Sequence, residues 1–194
     1  LFDKSDNGND GIIHGAVSTT GNIGEALDFN GTGDYVSLSS SSIKDNSAFS
    51  IGVWIKVVTG GVIYSEGYSE NRNWAILLGS NAGSIRIIFK EKGVWKGETK
   101  GTTLINDGQW YYIVVAQTNK SYREIFVDGV LEGTNTTTIG DMSILDTYTI
   151  GALERTSVSS FFDGLIDDMK IYDYALSSDD ILGLYRSTKG AISQ

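Results

Sequence analysis

The 194-residue chain contains no cysteine and no proline, and it has a single histidine, His14. Without thiols there is no disulfide framework and no zinc–thiolate site. One histidine, no cysteine nucleophile and no G-x-S-x-G run leave no basis for a Ser-His-Asp or Cys-His triad. Positive charge is also scarce: 15 Lys and Arg face 24 Asp and Glu, for a net charge of -9. Nucleic acid and anionic membranes are held by clustered cations, so neither is expected as a partner, whereas carboxylate-rich loops favour calcium. No apolar run reaches the roughly 18 residues of a membrane span, so no membrane insertion is expected. No basic-then-apolar leader begins at Leu1, and the sequence reads as a module of a larger, secreted or cell-surface protein.

What the chain does have is short apolar alternation cut by turns. With proline absent, its 24 glycines, together with Asn, Asp and Ser, supply the breaks. At 21.0 kDa and 40% hydrophobic residues, residues 1–194 suffice for one domain with a sizeable core and no disulfides. Strands are expected at Ala26–Phe29, Tyr35–Leu38, Phe49–Val57, Val62–Ser65, Trp74–Leu78, Ile85–Phe89, Trp110–Gln117, Arg123–Val127, Thr149–Leu153 and Leu165–Tyr172. So many short strands point to an all-β, two-sheet antiparallel sandwich of jelly-roll type. Phe49, Ile51, Val53, Ile55 and Val57 alternate onto one face, as a strand packed against a second sheet requires. Trp54 interrupts the polar opposite face, where it packs under a loop, covers a second small core or lines a groove. Trp110, which begins WYYIVVA, is expected in the core.

Turn and cap chemistry adds two elements. Asp128-Gly129 between apolar runs in FVDGVLEG fits a type I′ hairpin, which needs positive φ at both central residues. In ALSSDDILGLYRS, Ser177 stands three residues before Asp180 in a short-acid capping box, and Ile181, Leu184 and Tyr185 form an i, i+3, i+4 stripe. One short C-terminal helix packed on the sandwich follows. In FFDGLIDDMKIYDYALSSDD the adjacent Asp167 and Asp168 alternate to opposite faces, Asp167 with Met169 and Ile171, Asp168 with Ile166 and Tyr172. Neither face is free of apolar residues, so a bare buried charge there needs a partner.

Six segments in order, FDKSDNGNDG, GEALDFNGTGDYVSL, FSIGVWIKV, NDGQWYYIVVAQTN, EIFVDGVLEG and FFDGLIDDMKIYDYALSSDDILGLY, span nearly the whole chain. In this arrangement the sequence resembles the laminin-G-like, concanavalin A-like lectin jelly-roll family. The resemblance implies stacked antiparallel sheets with the N- and C-terminal strands adjacent, in a fold that hosts lectins, hydrolases and spacers alike. It also implies a structural calcium where the N-terminal loop meets the late strand. Carried over by position, the ligands would be Asp3, Asn7, Asn9, Asn30, Gly31, Asp34, Asp167 and Asp168. A hard cation seeking six to eight oxygens from flexible Gly- and Asn-rich loops suits this set better than zinc would. DNGNDG is not an EF-hand loop, because the twelfth-position glutamate and flanking helices are missing.

Enzyme chemistry on such a sandwich needs carboxylates paired across a sugar. No E-x-D-x-E run occurs, Glu91 with Glu98 and Glu66 with Glu70 lack strand spacing, and adjacent aspartates cannot flank one bond; the ten tyrosines leave a lyase base open. The expectation is therefore a non-enzyme. Sugar binding needs exposed aromatics beside planar polar groups. GYSENRNW offers Tyr68, Asn71, Arg72 and Trp74, and KEKGVWKGETK places Trp95 near a hairpin tip among Lys90, Lys92, Lys96 and Lys100. Those lysines either meet an acidic sugar or keep a strand edge from pairing with another chain. The favoured function is an extracellular, non-catalytic carbohydrate-binding module for a polysaccharide or cell-surface glycan. The alternative is an adhesin or cell-surface spacer contacting proteins.

Overall fold

The computed structural model describes residues 1–189 apart from Phe2, Asp6, Ser42, Lys44, Asp45, Asn46, Asn73 and Trp74. The ligand contact expected at Trp74 thus lies outside the described residues. Fifteen strands, β1 to β15, and one helix, α1, follow in chain order. One antiparallel ladder runs β1 (Gly11–His14), β4 (Tyr35–Leu38), β12 (Thr147–Ile150), the second half of β5 (Phe49–Gly67), β6 (Ala75–Asn81), β7 (Ser84–Glu91) and β8 (Val94–Leu104). The other runs β2 (Val17–Thr20), β3 (Glu25–Asn30), β15 (Asp163–Tyr172), the first half of β5, β9 (Trp110–Asn119), β10 (Tyr122–Val127) and β11 (Val130–Asn135). Their inward faces enclose the main core, and Phe49, Ile51, Val53, Ile55 and Val57 are all fully buried in it, as the alternation predicts.

The expected break between Phe49–Val57 and Val62–Ser65 is absent. One 19-residue strand passes from the second ladder to the first through Gly60 and Gly61, at φ +111° and +119°. A Cβ on Gly61 would lie 2.2 Å from the Phe161 carbonyl oxygen, so the crossing requires glycine on conformational and steric grounds. Conversely, the expected strand Thr149–Leu153 splits into β12 and β13 (Leu153–Glu154), the latter paired with β14 (Val158–Ser159) as a small hairpin. β1, β2 and β8 were not expected. They are edge strands rich in Gly, Thr and Lys, and their apolar periodicity is correspondingly weak.

The turn and helix readings agree with the structure. Asp128 and Gly129 have φ of +52° and +78°, with Val127 opposite Val130. α1 (Ser178–Lys189) starts after Ser177, whose Oγ accepts from Asp180 N at 3.2 Å while Asp180 Oδ2 accepts from Ser177 N at 3.2 Å. The helix lays Ile181, Leu184 and Tyr185 on the outward face of the second ladder, over Trp54, Tyr112, Val114, Ala116 and Phe126. Trp54 is therefore a second-core residue, and its Nε1–H donates to Thr188 Oγ1 at 3.0 Å. Trp110 is half-buried against the same cluster.

Alternation fails at the adjacent aspartates. Between the pairs Asp167↔Trp54 and Lys170↔Gly52, two residues of β15 oppose one of β5, and Asp168 takes φ +46°. This bulge puts Ile166, Met169 and Ile171 toward the main core and Asp167 with Tyr172 on the other side, correcting the face assignment made from simple alternation. Asp168 turns to Lys170, with which it forms an ion pair.

Candidate functional site

The eight candidate calcium ligands fall into separate hydrogen-bonding settings. Asp3 accepts from Ser5 N at 2.8 Å and Asn9 N at 2.9 Å, which holds its carboxyl below the usual carboxylate range. Asn7 donates to Ser5 Oγ in the same loop, and Asn9 accepts from Ser40 Oγ at 2.7 Å. Asn30 caps its own turn by accepting from Thr32 and Gly33, Gly31 sits there at φ +74°, and Asp34 accepts from Asn30 N. Asp167 accepts from Ile23 N at 2.6 Å, while Asp168 pairs with Lys170. Among the described residues no three Asp, Glu or His side chains group as a metal site. Burial pushes the Asp167 carboxyl up, opposed by the N–H groups of Ile23, Asp168 and Asn22. A Cβ on Gly21 would lie 2.4 Å from Asp167 Oδ2, so the carboxylate fills the turn between β2 and β3. Asp167 therefore joins the late strand to an early turn by direct backbone hydrogen bonds.

His14 has a structural setting too: it stacks on Tyr35 at 4.3 Å and its Nε2 lies 3.0 Å from Ser37 Oγ.

Of the candidate sugar-binding residues, Trp95 lines the outward face of the first ladder. Core residues Ile76 and Leu78 alternate on β6 with Ala75 and Leu77, and Ile87 and Phe89 on β7 with Arg86, Ile88 and Lys90, which leaves the latter groups pointing outward. The β13–β14 hairpin stands over part of this face, with Val62, Ala75 and Leu153 beneath it as a small cluster. Beside the hairpin lies an open groove of about 390 Å³ with an apolar floor of Val62, Leu77 and Ile88. Arg86, Arg155, Ser160 and Trp95 are among its walls. Trp95 is not at the hairpin tip. It lies on β8 opposite Lys90, two residues beyond the Lys92-Gly93 turn, and is 44% exposed.

Lys90 Nζ sits 5.2 Å from the Trp95 ring centroid. Its pKa is lowered first by burial and then by the nearby charges of Arg155 and Arg72. Arg155 belongs to the β13–β14 turn, and burial lowers its pKa, with Arg72 adding to the shift. Arg72 donates from Nε to Thr156 Oγ1 at 3.0 Å and from Nη2 to Ser157 Oγ at 3.1 Å, and its carbonyl accepts from Arg155 Nη1. Arg72 thus braces the hairpin that carries Arg155. Tyr68 packs against the main core and donates to Glu70, so it supports the same loop from below. Asn71 is half-exposed in that loop and does not line the groove. The basic segment divides: Lys90 stands over the Trp95 ring, whereas Lys96 pairs with Glu91 at 3.2 Å on the edge strand. Arg86, Arg155, Leu77 and Ile88 were not singled out from sequence. Alternation within SIRIIFK already sends Arg86 and Ile88 outward, but nothing local to GALERTSVSS signals that Arg155 reaches the same face.

The profile of the concanavalin A-like lectin/glucanases superfamily matches residues 30–182. No curated protein matches the chain in sequence. Among solved structures, the binding domain of botulinum neurotoxin serotype D superposes with a TM-score of 0.72 at 17% identity, over 96% of this chain and 49% of that one. The binding domain of Paraclostridial Mosquitocidal Protein 1 gives 0.72 at 13%, over 96% and 49%. Domain 4 of AbnA, a GH43 extracellular arabinanase from Geobacillus stearothermophilus in complex with arabinotriose, gives 0.72 at 20%, over 90% and 87%. The chain spans about half the length of the toxin domains that it resembles.

Proposed function

The chain belongs to the concanavalin A-like lectin/glucanases superfamily, and from that premise we propose that it is a non-catalytic carbohydrate-binding module of a larger extracellular protein, with the Trp95 groove as its site. The observation that carries this reading is an exposed indole beside an apolar floor, ringed by hydrogen-bond donors from Arg155, Arg86 and Ser160. A pyranose or furanose ring needs that combination: C–H faces against an aromatic and hydroxyls against planar polar groups. The groove volume falls within the range of small-ligand sites. The arabinotriose complex of the domain with the same fold supports a saccharide as the ligand class. Among the described residues no Asp, Glu or His lines the groove, which favours binding over hydrolysis because acid–base catalysis at a glycosidic bond uses paired carboxylates.

Retention on a glycan array is the test. Wild-type protein should be retained on at least one glycan, and Trp95→Ala should lose that retention while unfolding at the same temperature. No retention on any glycan, or retention indifferent to Trp95→Ala, refutes the proposal. The first of those results would favour the second reading, a protein-contacting surface module, which the likeness to toxin binding domains supports. Reducing sugar or unsaturated product released from a polysaccharide panel would show an enzyme instead.

A structural calcium belongs to this reading in reduced form, at the N-terminal loop alone, where Asp10 Oδ1 accepts from Asp3 N at 2.8 Å and draws a second carboxylate beside Asp3. An ion bound only to the native state raises the unfolding midpoint, so the midpoint should fall on adding chelator. An unchanged midpoint removes calcium from the proposal.

A further inference from the structure

We infer that the groove selects saccharides bearing a carboxylate, an inference that rests on the carbohydrate-binding reading above and narrows its ligand class. The groove's charge opposes that of the molecule. In a chain of net charge -9, the charged residues lining it, among the described residues, are Arg86 and Arg155, with no carboxylate among them. Lys90 stands over Trp95, and Arg72 lies behind Arg155, so cations from three separate segments, β7, the loop before β6 and the β13–β14 turn, converge on one face.

Little in the structure neutralises them. The ion pairs among the described residues are Arg86–Glu98, Lys96–Glu91 and Lys170–Asp168, so Lys90, Arg72 and Arg155 have no carboxylate partner within ion-pair distance. The pKa values of Lys90 and Arg155 are both lowered, by burial first and then by neighbouring cations, which is the signature of charges gathered without a counterion. Arg155 Nε and Ser80 Oγ, both from residues lining the groove, are buried with no hydrogen-bond partner. Leaving such donors unmet is costly, and a ligand that brings an anion to this wall offsets the mutual repulsion.

The arrangement suits a uronate-type sugar. Its carboxylate projects from the ring edge toward a planar guanidinium, whose fork matches it, and the ring face stays free for Trp95, Leu77 and Ile88. Exposure at the groove mouth means that part of the attraction is screened by salt.

Calorimetric titration of the intact chain with uronate oligosaccharides, each paired with its carboxyl-reduced counterpart, tests this. The acidic member of at least one pair should bind about tenfold more tightly or better, in keeping with a charge-assisted hydrogen bond, and the preference should shrink as NaCl rises. Lys90→Gln and Arg155→Gln should each bring the acidic ligand toward the reduced one, while Trp95→Ala weakens both members alike. Thermal unfolding of each variant checks the fold, and Lys90→Gln, at a half-buried position, keeps the test available should Arg155→Gln unfold. Equal affinity within every pair overturns the inference and leaves the carbohydrate-binding reading standing. Absence of binding to both members of every pair, together with a blank glycan array, refutes both.

Discussion

Trp54 and Trp95 both stand on outward faces of the sandwich, one on each ladder. Over Trp54 lies α1, which brings Tyr185 to 5.9 Å and Thr188 to the indole N–H, and the ring is 3% exposed. Among the described residues the Lys90 ammonium stands over Trp95, which is 44% exposed. The difference lies in what the chain places above each sheet. A helix with an apolar stripe converts one face into a second core, whereas a short hairpin covers only part of the other and leaves a groove beside it. An outward aromatic is thus structural or available for ligand according to its cover, and the residue type does not decide between them.

The comparison can be broken by substitution. Trp54→Ala should cost about 3–5 kcal/mol in urea-induced unfolding, the loss typical of a buried tryptophan; a loss below about 1 kcal/mol would mean that α1 does not seal that face. Asp167→Ala, on the same outward side, should cost about 1–3 kcal/mol because it leaves the Ile23 N–H in the β2–β3 turn without its acceptor. Its titration has a defined sign. Burial raises the folded-state pKa, so the folded chain holds the Asp167 proton more tightly than the unfolded chain. The resulting stability is fully present below the ordinary carboxylate pKa and is lost as pH rises through the raised value. Asp167→Asn should remove that component of the decline, read from unfolding free energies measured at a series of pH values upward from about 4.

Ser177→Ala, which removes the cap of α1, should cost about 1 kcal/mol and speed amide exchange in the first helical turn. The smallest effect belongs to the open face: Trp95→Ala should change the unfolding free energy by no more than about 0.5 kcal/mol. A loss as large as that of Trp54→Ala would make Trp95 a packing residue and remove the contrast.

Much of the framework is legible along the chain because it rests on local rules. The alternation of Phe49 to Val57, the Asp128-Gly129 turn and the Ser177 cap each follow from side-chain period or backbone preference within a few residues. The errors arise where local rules are interrupted. The Gly60-Gly61 pair reads as a break but serves as a crossing, because two glycines let one strand re-aim between ladders without losing its pairing. At Asp168 a bulge shifts the register, so counting by twos along β15 assigns the wrong faces to its neighbours.

Sequence alone thus determined the class of fold, the alternating core, the capped helix and the shortage of catalytic groups, since composition and short periods carry that information. Tertiary structure decided the rest. It gave Asp3, Asn30, Asp34 and Asp167 backbone N–H donors in local turns and set Asp168 against Lys170 at a bulge. It also drew Lys90, Trp95, Arg72 and Arg155 onto one face from strands and loops up to 83 positions apart. A site of that kind depends on sheet pairing between distant segments, and no local pattern in the chain encodes which of them will meet.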